Sequence, residues 1–135
     1  MENENFIRIE HSQNFLRNPD LVRQIVSESS IGLDDLVYEI GPGKGIITDQ
    51  LAQRADRVVT IEKDVRLFKK LKDRFQDADN VEIKQGDFLE HELPEEKYKV
   101  FSNIPFNLTA AIIYKLVFDR NPPIDAYLNR SKRSG

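Results

Sequence analysis

Leu36-Val37-Tyr38-Glu39-Ile40-Gly41-Pro42-Gly43-Lys44-Gly45 is an apolar run that breaks into alternating glycines. The run has the length and character of a buried strand, and the glycines turn the chain at its end. Ile46, Ile47, Leu51 and Ala52 follow at helical spacing. The unit is therefore strand, tight turn, helix. The same alternation extends outward from it. Arg57–Glu62 reads as a second strand, and Asp64 can cap a helix carrying Val65, Leu67, Phe68, Leu71 and Phe75. Val81–Lys84 and Tyr98–Ser102 read as a third and a fourth strand, and Leu108–Phe118 as a helix stopped before Asn121-Pro122-Pro123. Upstream, Asn18-Pro19-Asp20 opens a helix through Leu21, Val22, Ile25 and Val26 that Gly32 is expected to end. Strands alternating with helices predict an α/β fold with a parallel sheet covered on both faces. Ligands of such sheets sit at the carboxyl ends of the strands. Gly41, Glu62, Asp87 and Asn103 each follow or close one of the four strands.

The bulk numbers fit one domain. The chain has 135 residues, 39% hydrophobic and 32% charged, with no internal repeat. Cysteine is absent, which excludes disulfides and thiolate metal sites. No apolar stretch approaches bilayer length, and Met1-Glu2-Asn3-Glu4-Asn5 has no signal-peptide character, so a cytoplasmic location without membrane contact is expected. His11 and His91 are too isolated to form a metal site. The net charge of −3 is unlike the basic footprint of a nucleic-acid binder.

Gly41, Gly43 and Gly45 remove side chains where a ligand must approach backbone, and they permit positive φ. The spacing is neither the dinucleotide G-x-G-x-x-G nor a phosphate loop. A plain tight turn is the alternative. Glu62 can accept both hydroxyl hydrogens of a ribose, or be a solvated strand-end charge. Asp87 can accept from an adenine amino group with Phe88 packed near the ring, or simply cap a turn. Asn103-Ile104-Pro105-Phe106 is the sharpest motif. The Asn103 side-chain oxygen and the Ile104 carbonyl can accept the two hydrogens of an exocyclic amino group and make its nitrogen more pyramidal. Pro105 stiffens the turn, and Phe106 offers a stacking face for a flipped base. An ordinary proline turn with a core phenylalanine is the alternative. Ser12-Gln13-Asn14-Phe15-Leu16 can cover a cofactor from outside or act as a capping loop.

Ser-Gln-Asn-Phe-Leu, Glu-Ile-Gly-Pro-Gly-Lys-Gly, Ile-Glu-Lys-Asp, Gly-Asp-Phe and Asn-Ile-Pro-Phe, in this order, resemble the rRNA adenine dimethyltransferases. Ser12, Lys44 and Asn103-Ile104 look more like the erythromycin-resistance branch than the small-subunit branch. The resemblance implies a Rossmann-like class I methyltransferase fold and S-adenosylmethionine as donor. It implies methylation of the amino group of one adenine in large-subunit rRNA, which confers macrolide, lincosamide and streptogramin B resistance. It places Asn14, Leu16, Gly41, Gly43, Glu62, Asp87, Phe88 and Asn103 around the cofactor, with Asn103, Ile104, Pro105 and Phe106 serving the base. The alternatives are a small-subunit rRNA dimethyltransferase, a non-catalytic cofactor-binding or interaction module, and a dehydrogenase, which the glycine spacing disfavours.

The match ends near Leu128 and leaves 129–135 as an unmatched tail, with the family's further strands and helical RNA-binding domain absent. A truncated fold of four strands is expected. It would leave Val100 and Phe101 on an open apolar edge, prone to self-association. Cofactor binding with impaired catalysis is expected of such a chain.

Overall fold

The computed structural model describes residues 6–11 and 18–131, with side chains from Asn18 to Arg130. Six strands, all paired in parallel, form one sheet in the order β1-β6-β5-β2-β3-β4. They are β1 (Phe6–His11), β2 (Leu36–Ile40), β3 (Arg57–Glu62), β4 (Val81–Gln85), β5 (Lys99–Pro105) and β6 (Asp125–Ser131). Four helices connect them: α1 (Pro19–Glu28), α2 (Ile46–Ala52), α3 (Val65–Arg74) and α4 (Thr109–Phe118).

The local signals act as expected. The Asn18 side chain accepts from Leu21 N at 3.1 Å, and Pro19 fills the first helical position, where its missing N–H is no loss. Asp64 Oδ1 accepts from Arg66 N and Leu67 N at 2.8 and 3.0 Å, capping α3. One detail differs: α1 ends at Glu28, four residues before Gly32, because Ser29 takes an extended conformation and its hydroxyl donates to Val26 O.

The strands alternate their side chains between two cores. Val37 and Phe101 face α1 and α2, with Val22, Val26, Ile47 and Leu51. Tyr38, Val100 and Ile104 face α4, with Ile112 and Leu116. Both faces are covered, which is why β2 is buried along its whole length.

The expected four-strand sheet with an open edge is corrected here. β5 lies between β2 and β6, so Val100 and Phe101 are 0% and 2% exposed. Residues 125–131 return as a partner strand after the Pro122-Pro123 turn, with Ala126 and Leu128 packed into the core. Asn129–Ser131, expected to begin the tail, pair with Asn103–Pro105. The open edge at Val100 and Phe101 does not exist, and self-association argued from it loses its basis. Among the described residues, no helix is long and apolar enough to cross a membrane.

Candidate cofactor and base site

After β2 the chain runs outward to β3 and β4, then crosses back to β5 on the other side of β2. The crevice between β2 and β5 is therefore the point where strand order reverses, the usual ligand position in such sheets. The two strands pair only at Val37–Lys99 and Tyr38–Val100, and then part. Where they part, the buried Ser102 hydroxyl bridges them. It accepts from Ile40 N at 2.9 Å and donates to Ile40 O.

The glycine turn closes over this crevice. Gly41 N donates to Ile61 O at 3.0 Å, tying the turn to β3. Gly41 and Gly43 have φ of 63° and 58°, and a Cβ at either would meet no protein atom within 4 Å. Their missing side chains thus leave open space rather than room for a neighbour. The expectation that Gly45 also clears space for a ligand is corrected: a Cβ there would lie 2.9 Å from Phe75, so this glycine serves the packing of the turn against α3.

A cavity of about 170 Å³ opens beside Gly41. Ile61, Phe88, Leu108 and Ile112 supply apolar wall, and Glu62 and Asp87 supply the carboxylates. Sites for whole drug-sized ligands run to roughly 300–1,000 Å³, so this one suits a single flat ring system. A larger groove, of about 780 Å³, sets the carboxylates of Glu90, Glu92, Glu95 and Asp119 against the cations Lys115 and Arg120, and its net negative charge disfavours an anionic substrate.

Of the residues expected to line a cofactor, Gly41, Glu62, Asp87 and Phe88 meet at the cavity, together with Ile104 and Pro105 from the Asn-Ile-Pro-Phe turn. Gly43 stays in the turn, and Asn103 and Phe106 stand beside the wall rather than in it. Asn14 and Leu16 lie outside the described residues. Both carboxylates have structural duties as well. Glu62 Oε2 accepts from Asp64 N at 2.8 Å. Asp87 Oδ1 accepts from Leu89 N at 3.0 Å, and Lys63 Nζ stands 3.6 Å from Oδ2. The turn-capping alternative for Asp87 therefore holds alongside its place in the wall. Phe106 is 51% exposed, and the Arg130 guanidinium lies 4.6 Å from its ring centroid.

Some participants escape the motif reading. Leu108 reaches the cavity from the residue just before α4 and Ile112 from its first turn; their spacing of four residues was the available signal. Lys63 lies inside the Ile-Glu-Lys-Asp motif, which assigns it no role, while Asn129 and Arg130 act on expected site residues with nothing local in the sequence to point to them. Glu39 sits behind the turn, 1% exposed. Its Oε1 accepts from the Thr48 and Thr60 hydroxyls, while Oε2 has no hydrogen-bond partner among the described residues. Burial pushes its carboxyl up to about 7, although the two hydroxyls pull the other way. A carboxylate inside an apolar strand run was the signal for it.

Residues 4–131 match the family described as ribosomal RNA adenine dimethylase. The chain belongs to this family. An rRNA adenine N-6-methyltransferase of Escherichia coli is 36% identical over 121 residues, covering 89% of this chain and 49% of that protein. A probable ribosomal RNA small subunit methyltransferase A of Thermococcus kodakarensis is 42% identical over 105 residues, 78% of this chain and 37% of that one. The crystal structure of the 23S rRNA methyltransferase ErmE superposes with a TM-score of 0.75 at 34% identity, covering 81% of this chain and 45% of that chain. The dimethylase family thus shares the methyltransferase α/β fold found here, and the chain spans less than half the length of each of these relatives.

Proposed function

We propose that the chain is the cofactor-binding part of an S-adenosylmethionine-dependent rRNA adenine N6-methyltransferase acting on large-subunit rRNA, and that the whole enzyme confers macrolide, lincosamide and streptogramin B resistance. One observation carries the reading: a single cavity at the strand-order reversal gathers Gly41, Glu62, Asp87 and Pro105 from the ends of four strands. The residues fit an adenosine-bearing group. Phe88, Ile61 and Ile112 make an apolar slot for the base, Asp87 offers an acceptor at its edge, and Glu62 offers one for a ribose. The bound cofactor would supply an electrophilic methyl group on sulfur.

The chain's own residues then hold the acceptor. A side-chain carbonyl has two lone pairs, so Asn103 Oδ1 can receive an amino hydrogen while also accepting from Asn129. One Phe106 face is taken by Arg130, so a target base stacks on the opposite face. Orientation of the amino group toward the methyl carbon supplies much of the rate.

Support for the large-subunit assignment comes from Ser12, Lys44 and Asn103-Ile104, and from the likeness to the 23S rRNA methyltransferase ErmE at 34% identity. The small-subunit reading is favoured instead by the 42% identity to the Thermococcus relative. Binding with little turnover is expected of this chain, which spans under half the length of its relatives and carries a net charge of −3.

Calorimetric titration with S-adenosylhomocysteine tests the pocket. Saturable binding is expected, weakened about tenfold in Asp87→Ala by loss of a charged acceptor. No binding by folded protein would sink the cofactor reading. Labelled methyl transfer to separated rRNAs tests the branch: label in small-subunit rRNA alone would replace the large-subunit assignment.

A further inference from the structure

The end of β6 brings two polar side chains against the Asn-Ile-Pro-Phe turn, and no motif assigns either. Asn129 stands directly opposite Asn103 in the parallel register. It is 5% exposed, next to the fully apolar Leu128 and three residues from Ala126, both in the core. Its Nδ2 donates to Asn103 Oδ1 at 2.5 Å. Its own Oδ1 is buried with no hydrogen-bond partner among the described residues. One residue on, Arg130 places its guanidinium over the Phe106 ring. The strand end thus touches both ends of the turn.

As a space filler, Asn129 is a poor choice. An unmet buried oxygen carries its full desolvation penalty, and an apolar side chain of similar shape would avoid it. What an amide supplies is polarity with direction. Asn103 has a donor end and an acceptor end, and rotation about its last bond exchanges them. The Asn129 N–H can be met only by the oxygen. We propose that Asn129 is a positioning residue that fixes the amide orientation of Asn103, and with it the acceptor presented to the amino group being methylated. The inference rests on the role given to Asn103 in the proposed function.

Two ligands and three variants test it. Sinefungin carries an amino group on the carbon that replaces the methylated sulfur, so it donates hydrogen bonds where S-adenosylhomocysteine cannot. The ratio of the two affinities, measured at pH 8, reports an acceptor at that point. Asn103→Ala should lower the ratio about tenfold, the size of one hydrogen bond to a charged group. Asn129→Leu removes the N–H that selects the Asn103 oxygen and should lower it about threefold, with S-adenosylhomocysteine affinity within about twofold of wild type. Asn129→Asp can only accept, so it draws the Asn103 NH2 toward β6. It should be worse than Asn129→Leu, although it keeps the shape of asparagine. A packing role gives the opposite order.

The proposal is overturned if Asn129→Leu keeps the wild-type ratio, or if Asn129→Asp is the gentler change. Should Asn129→Asp not fold, Asn129→Leu decides alone. A ratio that moves in Asn103→Ala but not in the Asn129 variants removes the positioning role only. A ratio unmoved in Asn103→Ala removes the role of Asn103 and this inference with it. No binding of either ligand to folded wild type removes the cofactor reading as well.

Discussion

Glu39 shows how a site residue can cost stability. Its carboxyl is buried behind the glycine turn, one oxygen satisfied by Thr48 and Thr60 and the other without a partner among the described residues. Desolvation raises it from 4.5 to about 7, with the nearby Glu62 charge adding to the rise. Below the lower value both folded and unfolded chains hold the proton. Between the two values the unfolded chain has released it while the folded chain keeps it. Stability therefore falls as pH rises through this window and levels off above about 7. The full effect is on the order of 3 kcal/mol, from the free energy of one pKa unit. Urea melts of wild type and Glu39→Gln at pH 5 and pH 8 check this. The difference in stability between the two proteins should shift in favour of the glutamine variant at pH 8. An unchanged difference would mean that Glu39 titrates normally. Asp87 illustrates the converse, a site residue whose structural duty is legible. A strand-end Asp before a short turn reads equally as ligand acceptor and as cap, and the carboxylate does serve as the cap of Leu89 N.

At the scale of elements, α4 divides its side chains sharply. Ile112 and Leu116 are buried against Val100, Ile104 and Leu128, while Tyr114, Val117 and Phe118 are exposed. Ile112→Ala should cost about 2–5 kcal/mol, as truncations of buried aliphatic side chains do. It should also weaken S-adenosylhomocysteine, because Ile112 is part of the cavity wall. Tyr114→Ser should stay within about 0.5 kcal/mol, although Tyr114 packs on Phe118 at 4.6 Å. Denaturant titration separates the two, and equal costs would refute this division. The helix itself was readable from its apolar spacing and the prolines beyond it. So were α2, α3 and the strands β2 to β5, whose apolar or alternating runs stand between turn and cap residues. β6 was not. Ala126-Tyr127-Leu128 is short, follows two prolines, and leads into Asn129-Arg130, which reads as a polar tail. β1 alternates apolar and polar residues over Phe6–His11, yet it too is short. Such strands are fixed by the partner they pair with, and pairing across more than a hundred residues has no local sequence signal.

For the whole molecule, that late strand decides whether the sheet closes. β6 pairs with β5 on one side and β1 on the other, joining the two ends of the chain. Tyr127 stacks on Phe101 at 5.6 Å, and its hydroxyl accepts from Ser30 N at 3.0 Å. Ser30 in turn donates to Asp125 at 2.5 Å, so the loop after α1 is fastened to β6 as well. Cutting the chain after Ile124 would strip Val100 and Phe101 of their β6 partners and leave β1 without its paired strand. A large apolar side chain is worth about 1.5–3 kcal/mol when fully buried, and a whole domain holds only about 5–15 kcal/mol in reserve. Uncovering Val100 and Phe101 and deleting Leu128 together consume much of that reserve. The shortened chain should lose its cooperative urea transition, or keep a reduced one with a smaller m-value. It should also associate more strongly than the 135-residue chain in sedimentation, because the cut creates the apolar edge that β6 covers. If residues 1–124 melted at the same urea concentration with the same slope and sedimented alike, β6 would contribute nothing to the fold. The cofactor cavity would then need only β2 to β5, and the positioning role of Asn129 would be the sole reason for β6 to lie where it does.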